Sequence, residues 1–180
     1  MKNSWFTVPN TITFVRIALT PVLIICMYCH AWLLAGIFML IASLSDLADG
    51  VIARALNQQT NFGALLDAFA DKLLMICLLA TAIMLNIPEL PRWFCAIVLG
   101  KELIILGVST TLLLSKHIFT IAPLFFSKIS MAVQMIFFIT LFFAKAGGII
   151  FPKIFIWALV PFVLIPLVLY TGILVKKAAA

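Results

Sequence analysis

Charged residues are scarce in this sequence, and acidic residues are the scarcest. Only 10% of the 180 residues are charged, with six Asp plus Glu against twelve Lys plus Arg. Hydrophobic residues make up 66% of the chain, and the mean hydropathy is +1.28. Such a composition excludes an ordinary soluble globule, because a soluble surface needs far more charge. The sequence therefore predicts an integral membrane protein.

Three other features are missing, and each excludes a class of protein. The lysines are scattered between apolar runs and form no basic arm, so nucleic acid is not an expected partner. Residues 1–10 are short and polar, and no small-residue cleavage site follows, so no cleavable signal peptide is expected. Cys26, Cys29 and His30 spell C-x-x-C-H, but no loop domain follows to enclose a haem. We interpret the cysteines as packing residues and predict no disulfide framework.

Long apolar runs divide the chain into six segments. A transmembrane helix needs roughly 20 apolar residues to cross about 30 Å of hydrocarbon. We predict an all-α polytopic membrane protein with six transmembrane helices, built as a single membrane domain over residues 1–180 and preceded by a short interfacial segment at residues 1–10. The predicted helices run from about Thr11 to Cys29, Leu33 to Arg54, Phe62 to Leu85, Trp93 to Leu114, Lys128 to Phe143 and Ile149 to Val175. Pro161 and Pro166 are expected to kink the last one.

The distribution of positive charge predicts the orientation. With a cytoplasmic N-terminus, more basic residues lie on the cytoplasmic side than outside, as the positive-inside rule requires. The inner group is Lys2, Arg54, Lys116, Lys128, Lys176 and Lys177, and the outer group is Arg92, Lys145 and Lys153. Both termini and the turn after the second helix are therefore expected in the cytoplasm.

Four of the six acidic residues lie within residues 46–72. Asp46 and Asp49 share one face of the second predicted helix with Gly50, Ala53 and Arg54, and Asp67 and Asp71 share one face of the third with Gly63. Helices joined by a short turn are antiparallel neighbours, so the two acidic faces can meet. Converging carboxylates in a partly dry site repel one another, and hard cations relieve that repulsion. The pattern predicts a divalent-metal site.

The same residues carry a resemblance. The stretch is similar to the signature of the CDP-alcohol phosphotransferase family, D-x2-D-G-x2-A-R-x8-G-x3-D-x3-D, and every fixed position is filled. The segment PNTITFVRIALTP also resembles the start of the first helix in the family's phosphatidylglycerophosphate synthases and cardiolipin synthases. A layout with six crossings agrees with the family fold.

This resemblance implies transfer of a phosphatidyl group from CDP-diacylglycerol to an alcohol, with release of CMP. It implies two divalent ions, Mg2+ or Mn2+, held by Asp46, Asp49 and Asp67, with Asp71 as the general base and a further possible ligand. The remaining signature positions would form the CDP site, to which two polar residues of the first helix would add contacts: Gly50, Ala53, Arg54, Gly63, Asn10 and Thr13. The resemblance also implies a homodimer in the bacterial inner membrane or an equivalent membrane.

The acceptor alcohol stays open at this stage. A basic pocket for the phosphate of glycerol 3-phosphate is expected at Lys72, Lys101 and Lys128, with Arg16 as a further candidate. The segment FSKISMAVQ resembles equally the cardiolipin synthases that use phosphatidylglycerol, and another alcohol is a third alternative. Glu102 is expected to pair with Lys101, which satisfies a charge in mid-helix. A metal-ion transporter is the alternative of another class, although a cation path gains nothing from Arg54 beside its acids.

Overall fold

Six α-helices form the protein in the computed structural model, which describes residues 8–55, 61–114, 121–152 and 154–178. The helices are α1 (Val8–Tyr28), α2 (Trp32–Ala55), α3 (Asn61–Met84), α4 (Arg92–Leu114), α5 (Ile121–Ala146) and α6 (Ile154–Ala178). Within these residues there is no β-strand. The all-helical class and the number of helices predicted from the apolar runs are confirmed.

Two of the predicted helix boundaries are wrong, and proline is involved in both. Helix α5 begins at Ile121, well before Lys128, and Pro123 is tolerated because it lies in the first turn, where its missing amide leaves no hydrogen bond unmade. Helix α6 begins at Ile154 instead of Ile149. Pro152 disfavours a helical conformation at the residue before it, and this delays the start of α6. Both Pro161 and Pro166 lie inside α6, which continues past them.

The tight turn between α5 and α6 follows a common helix-ending pattern. Gly148 has φ +66°, a left-handed conformation that glycine adopts without a side-chain clash. The amide of Ile149 donates to the carbonyl of Ala144 at 2.8 Å, and the amide of Gly148 donates to that of Lys145 at 3.2 Å. These bonds satisfy carbonyl groups that the end of α5 would leave unpaired.

The six helices pack in a ring. Helix α1 packs against α2 and α3, α3 against α4, α4 against α6, α6 against α5, and α5 against α2. The ends of α1 and α3 lie at one level, because the hydroxyl of Tyr28 donates to the sulfur of Met84 at 3.4 Å. Lys145 in the last turn of α5 pairs with Glu89 in the α3–α4 connection. The connections α1–α2, α3–α4 and α5–α6 therefore share one end of the bundle, which we call the far end.

The interior of the ring is apolar in the half that leads to the far end. Met39, Leu78, Phe138 and Phe142 are completely or almost completely buried there. Ring contacts among aromatic residues continue this packing, for example between Phe138 and Phe142 and between Phe94 and Phe137. Among the cysteines, Cys26 and Cys95 are buried as predicted, whereas Cys29 is exposed. Polar side chains occupy the other half of the interior.

One stretch of the described residues, Ser127–Ala146 in α5, is long and apolar enough to cross a membrane by length and composition. Shorter apolar stretches occur in three other helices, at Thr13–Tyr28, Trp32–Ser45 and Ile154–Leu169. Charged residues inside α3 and α4, such as Asp71 and Lys101, lower the apolar character of those helices. Six crossings therefore stay a prediction.

Candidate active site

The residues of the acidic signature occupy the two helices predicted for them. Helix α2 contains Asp46, Asp49, Gly50, Ala53 and Arg54, and helix α3 contains Gly63, Asp67 and Asp71. Helix α1 packs against both. Of these side chains, only that of Asp71 is described, and the side chain of Asn10 in α1 likewise lies outside the described part. Among the described side chains no group of three or more His, Cys, Asp or Glu residues forms a metal site, so the metal ligands stay a prediction.

Asp71 forms a buried ion pair with Arg16. The Nη1 atom of Arg16 lies 2.6 Å from the Oδ1 atom of Asp71, and the arginine side chain is completely buried. The first helix therefore brings a cation to the predicted general base. An arginine a turn or so inside a membrane helix can reach the membrane surface or face the bundle interior. The structure places it in the interior, where it holds the Asp71 carboxylate in position.

Lys72, the next residue along α3, takes part in a second buried cluster. Its Nζ atom lies 2.5 Å from Oε2 of Glu102, and Nζ of Lys101 lies 2.6 Å from Oε1 of the same carboxylate. Consecutive residues of a helix project about 100° apart, so α3 can direct Asp71 towards α1 and Lys72 towards α4. The predicted pairing of Lys101 with Glu102 is confirmed. The contact of Lys72 with the same carboxylate was not predicted.

Helix α5 extends this cluster with two neutral side chains. The Nζ atom of Lys101 donates to the hydroxyl oxygen of Ser130 at 3.2 Å, and the side-chain amide of Gln134 donates to the same oxygen at 2.8 Å. Both α5 residues are only 1% exposed. A continuous polar array thus runs through the interior from α3 through α4 to α5.

In the described part of the polar interior, two lysines share one carboxylate. Lys72 and Lys101 both contact Glu102, while Arg16 contacts Asp71. A second cation on a single buried carboxylate makes this point of the interior favourable for an anion.

Thr13 and Lys128, two further predicted binding residues, differ in burial. Thr13 is buried in α1, one turn before Arg16, and so lies beside the polar interior. Lys128 is exposed and lies in the FSKISMAVQ segment, two residues before Ser130. Of the three lysines expected in one acceptor pocket, the structure brings Lys72 and Lys101 together on Glu102 and leaves Lys128 outside the cluster.

Sequence reasoning did not single out the roles of Ser130 and Gln134. A signal was present, because the two residues are spaced i, i+4 in an otherwise apolar helix and so lie on one face. The Arg16–Asp71 pair carried no comparable signal. Its members are 55 residues apart, and only the packing of α1 on α3 brings them together.

Comparison with known proteins identifies related sequences over most of the chain. The CDP-alcohol phosphatidyltransferase family matches residues 6–165. A CDP-diacylglycerol–glycerol-3-phosphate 3-phosphatidyltransferase from Rickettsia typhi is 34% identical over 158 residues, which are 84% of this chain and 83% of the relative. One from Rickettsia bellii is 37% identical over 112 residues, 60% of each chain. A putative cardiolipin synthase from Mycobacterium tuberculosis is 34% identical over 111 residues, 59% of this chain and 50% of the relative.

Proposed function

Because the chain belongs to the CDP-alcohol phosphatidyltransferase family, we propose that it transfers a phosphatidyl group from CDP-diacylglycerol to glycerol 3-phosphate. The products are phosphatidylglycerophosphate and CMP. Relatives named for this reaction, which match up to 84% of the chain, support the assignment. The reaction makes the protein an enzyme of phospholipid biosynthesis.

The observation that carries this proposal is the pair of lysines on one buried carboxylate next to Asp71. Lys72 and Lys101 converge on Glu102, and Asp71, the residue before Lys72, is paired with Arg16 of α1. Buried lysines attract an acceptor that carries a phosphate, whereas an acceptor without net charge, such as serine, would leave two lysines on a single carboxylate. In this arrangement Lys72 and Lys101 bind the phosphate of glycerol 3-phosphate, and Arg16 positions the base. Lys128 would contact the acceptor at the outer edge.

The chemical step follows from the roles of the acids. The acceptor hydroxyl oxygen forms a bond to the phosphorus that carries the diacylglycerol, while the bond from that phosphorus to the bridging oxygen breaks. CMP leaves with the bonding electron pair, and Asp71 takes the proton of the hydroxyl. Arg16, at 2.6 Å, keeps the carboxylate fixed for that transfer.

The family generally depends on divalent metal ions, and the donor chemistry of this chain fits them. Carboxylate oxygens are the ligands that Mg2+ and Mn2+ prefer, and Asp46 and Asp49 in α2 with Asp67 in α3 supply them on the helices that flank α1. These three residues would hold the ions, with Asp71 as a further candidate. Bound there, Mg2+ or Mn2+ would neutralise charge on the diphosphate. Gly50, Ala53, Arg54, Gly63, Asn10 and Thr13 would contact the CDP group.

The enzyme acts in a membrane, with six crossings, both termini in the cytoplasm and the active site at the cytoplasmic face. Large apolar side chains on the outer faces of the ring support this arrangement, including Leu44, Ile136 and Val168. Trp93 and Trp157, with ring centroids 5.7 Å apart, lie near the far end, as expected of aromatic residues at a membrane surface. The same broad apolar faces are compatible with a homodimer.

A reporter fused after residue 180 tests the orientation. Reporter activity only in the periplasm would contradict a cytoplasmic C-terminus.

The decisive experiment supplies purified protein with CDP-diacylglycerol and one acceptor at a time, then measures CMP and identifies the lipid product. Glycerol 3-phosphate should give phosphatidylglycerophosphate, and turnover should stop in excess EDTA and resume when Mg2+ or Mn2+ is added back. Product from phosphatidylglycerol alone would instead establish a cardiolipin synthase. No CMP release with any alcohol would contradict the proposed function.

A further inference from the structure

Gln134 presents an unused polar group in the buried interior. Its side chain is 1% exposed, and its amide nitrogen donates to Ser130. Its carbonyl oxygen, Oε1, is buried and has no hydrogen-bond partner among the described residues. A buried polar atom without a partner is destabilising, so native proteins rarely retain one without a reason.

One polar group of Gln134 stays unpaired whichever way its side-chain amide is turned. The hydroxyl oxygen of Ser130 accepts from Lys101 and from Gln134. If the amide of Gln134 is turned over, its oxygen accepts from the Ser130 hydroxyl and its nitrogen is left open instead. In either orientation, one polar group of Gln134 remains for a ligand.

We infer that Gln134 is a specificity-determining residue that binds the non-reacting hydroxyl of the acceptor, with Ser130 as its support. This inference rests on the proposed function, because it extends the phosphate pocket formed by Lys72 and Lys101. Ser130 joins Lys101 to Gln134, so a ligand whose phosphate lies on the lysines extends towards the amide. Glycerol 3-phosphate has two hydroxyls. The primary hydroxyl attacks the donor, and the secondary hydroxyl can donate to, or accept from, the open amide group.

The chemistry of the pair favours this role over simple packing. A methionine or leucine would fill the same volume in an apolar helix without leaving a buried polar atom unsatisfied. A site built to hydrogen-bond a hydroxyl also discriminates strongly against an analogue that lacks it, because the site's own polar group then stays unpaired. Gln134 therefore selects an acceptor with a hydroxyl next to the reacting carbon.

The test compares two acceptors on each protein. One is glycerol 3-phosphate, and the other is 3-hydroxypropyl phosphate, which keeps the phosphate and the primary hydroxyl but lacks the secondary one. The wild-type protein should show a kcat/KM about tenfold to a hundredfold higher for glycerol 3-phosphate. Gln134→Leu should lose most of that preference by lowering kcat/KM for glycerol 3-phosphate alone. The ratio within one protein sample does not depend on the folded fraction.

A matched control is Thr140→Ala, because Thr140 lies on the same helix and its hydroxyl donates to the carbonyls of Ile136 and Phe137 within that helix. It should retain the wild-type preference. An unchanged preference in Gln134→Leu, or an equal loss with both acceptors, would overturn the inference and leave the proposed function intact. A wild-type protein that uses neither acceptor would overturn both.

Discussion

The bundle contains two ion-paired clusters that differ in the ratio of cations to carboxylates and in burial. In the polar interior, Lys72 and Lys101 share the single carboxylate of Glu102, and the side chains of Lys101 and Glu102 are 1% and 0% exposed. At the far end, Lys145 pairs with Glu89 at 2.7 Å, and these two side chains are 14% and 23% exposed.

The far-end cluster is complete without a ligand. One cation meets one carboxylate, the ammonium group of Lys145 also lies 4.8 Å from the ring centroid of Trp32, and the lysine occupies the last turn of α5, where the helix dipole favours positive charge. The contacts of Lys145 with Glu89 and Trp32 connect the start of α2, the α3–α4 connection and the end of α5. The interior cluster keeps an excess of positive charge where water is scarce. The far-end cluster is balanced by its own residues, whereas the interior cluster has one more cation than carboxylate.

The largest effect is expected at Asp71. Asp71→Asn removes the predicted base and should lower the rate of CMP release by roughly 10²–10⁴-fold. The change also leaves Arg16 buried without its counter-ion, which costs stability. The double variant Arg16→Gln with Asp71→Asn removes both charges and should recover part of the thermal stability in detergent while staying inactive. Recovery of activity in the double variant, or full activity in Asp71→Asn, would contradict the role as base.

Glu102→Gln is expected to have the next largest effect, and it acts on stability. The amide cannot neutralise Lys72 and Lys101, so two buried cations remain uncompensated. Breaking a buried ion pair in this way costs about 3–5 kcal/mol. Thermal unfolding in detergent measures the loss. A change below 1 kcal/mol would show that the interior cluster is solvated.

Much of this arrangement was predictable from local sequence, and the rest was not. Helical spacing predicted that Asp71 and Asp67 share one face, and the cost of an unpaired charge in mid-helix predicted that Lys101 pairs with Glu102, because both signals lie within a few residues. The pairs Arg16–Asp71 and Lys72–Glu102 join residues 55 and 30 positions apart, so only tertiary packing reveals them. The start of α6 was misplaced because Ile149 and Ile150 extend the apolar run, although both lie in an exposed, non-helical connection before Pro152.

Lys101→Met should change substrate binding more than stability. Glu102 keeps Lys72 as a counter-ion in this variant, and the methionine fills a similar volume. Loss of a charged hydrogen bond to the acceptor phosphate costs about 1.5–3 kcal/mol, so the KM for glycerol 3-phosphate should rise roughly tenfold to a hundredfold. The KM for CDP-diacylglycerol should hardly change. Lys145→Met is the matched control at the far end, and an equal rise of the acceptor KM there would remove Lys101 from the pocket.

The smallest effect is expected from Glu89→Gln, the far-end counterpart of Glu102→Gln. Glu89 is partly exposed, so water screens Lys145 once the carboxylate is gone, and the lysine keeps both its contact with the Trp32 ring and its place at the end of α5. An ion pair of this kind contributes about 0–1 kcal/mol. Stability should fall by no more than that, and kcat and both KM values should stay at the wild-type level. Replacing Glu by Gln would then lower the free energy of unfolding severalfold less at the far end than in the interior. Equal losses of stability at the two sites would mean that burial and excess charge do not distinguish the clusters, and the assignment of the interior one as an anion site would lose its support.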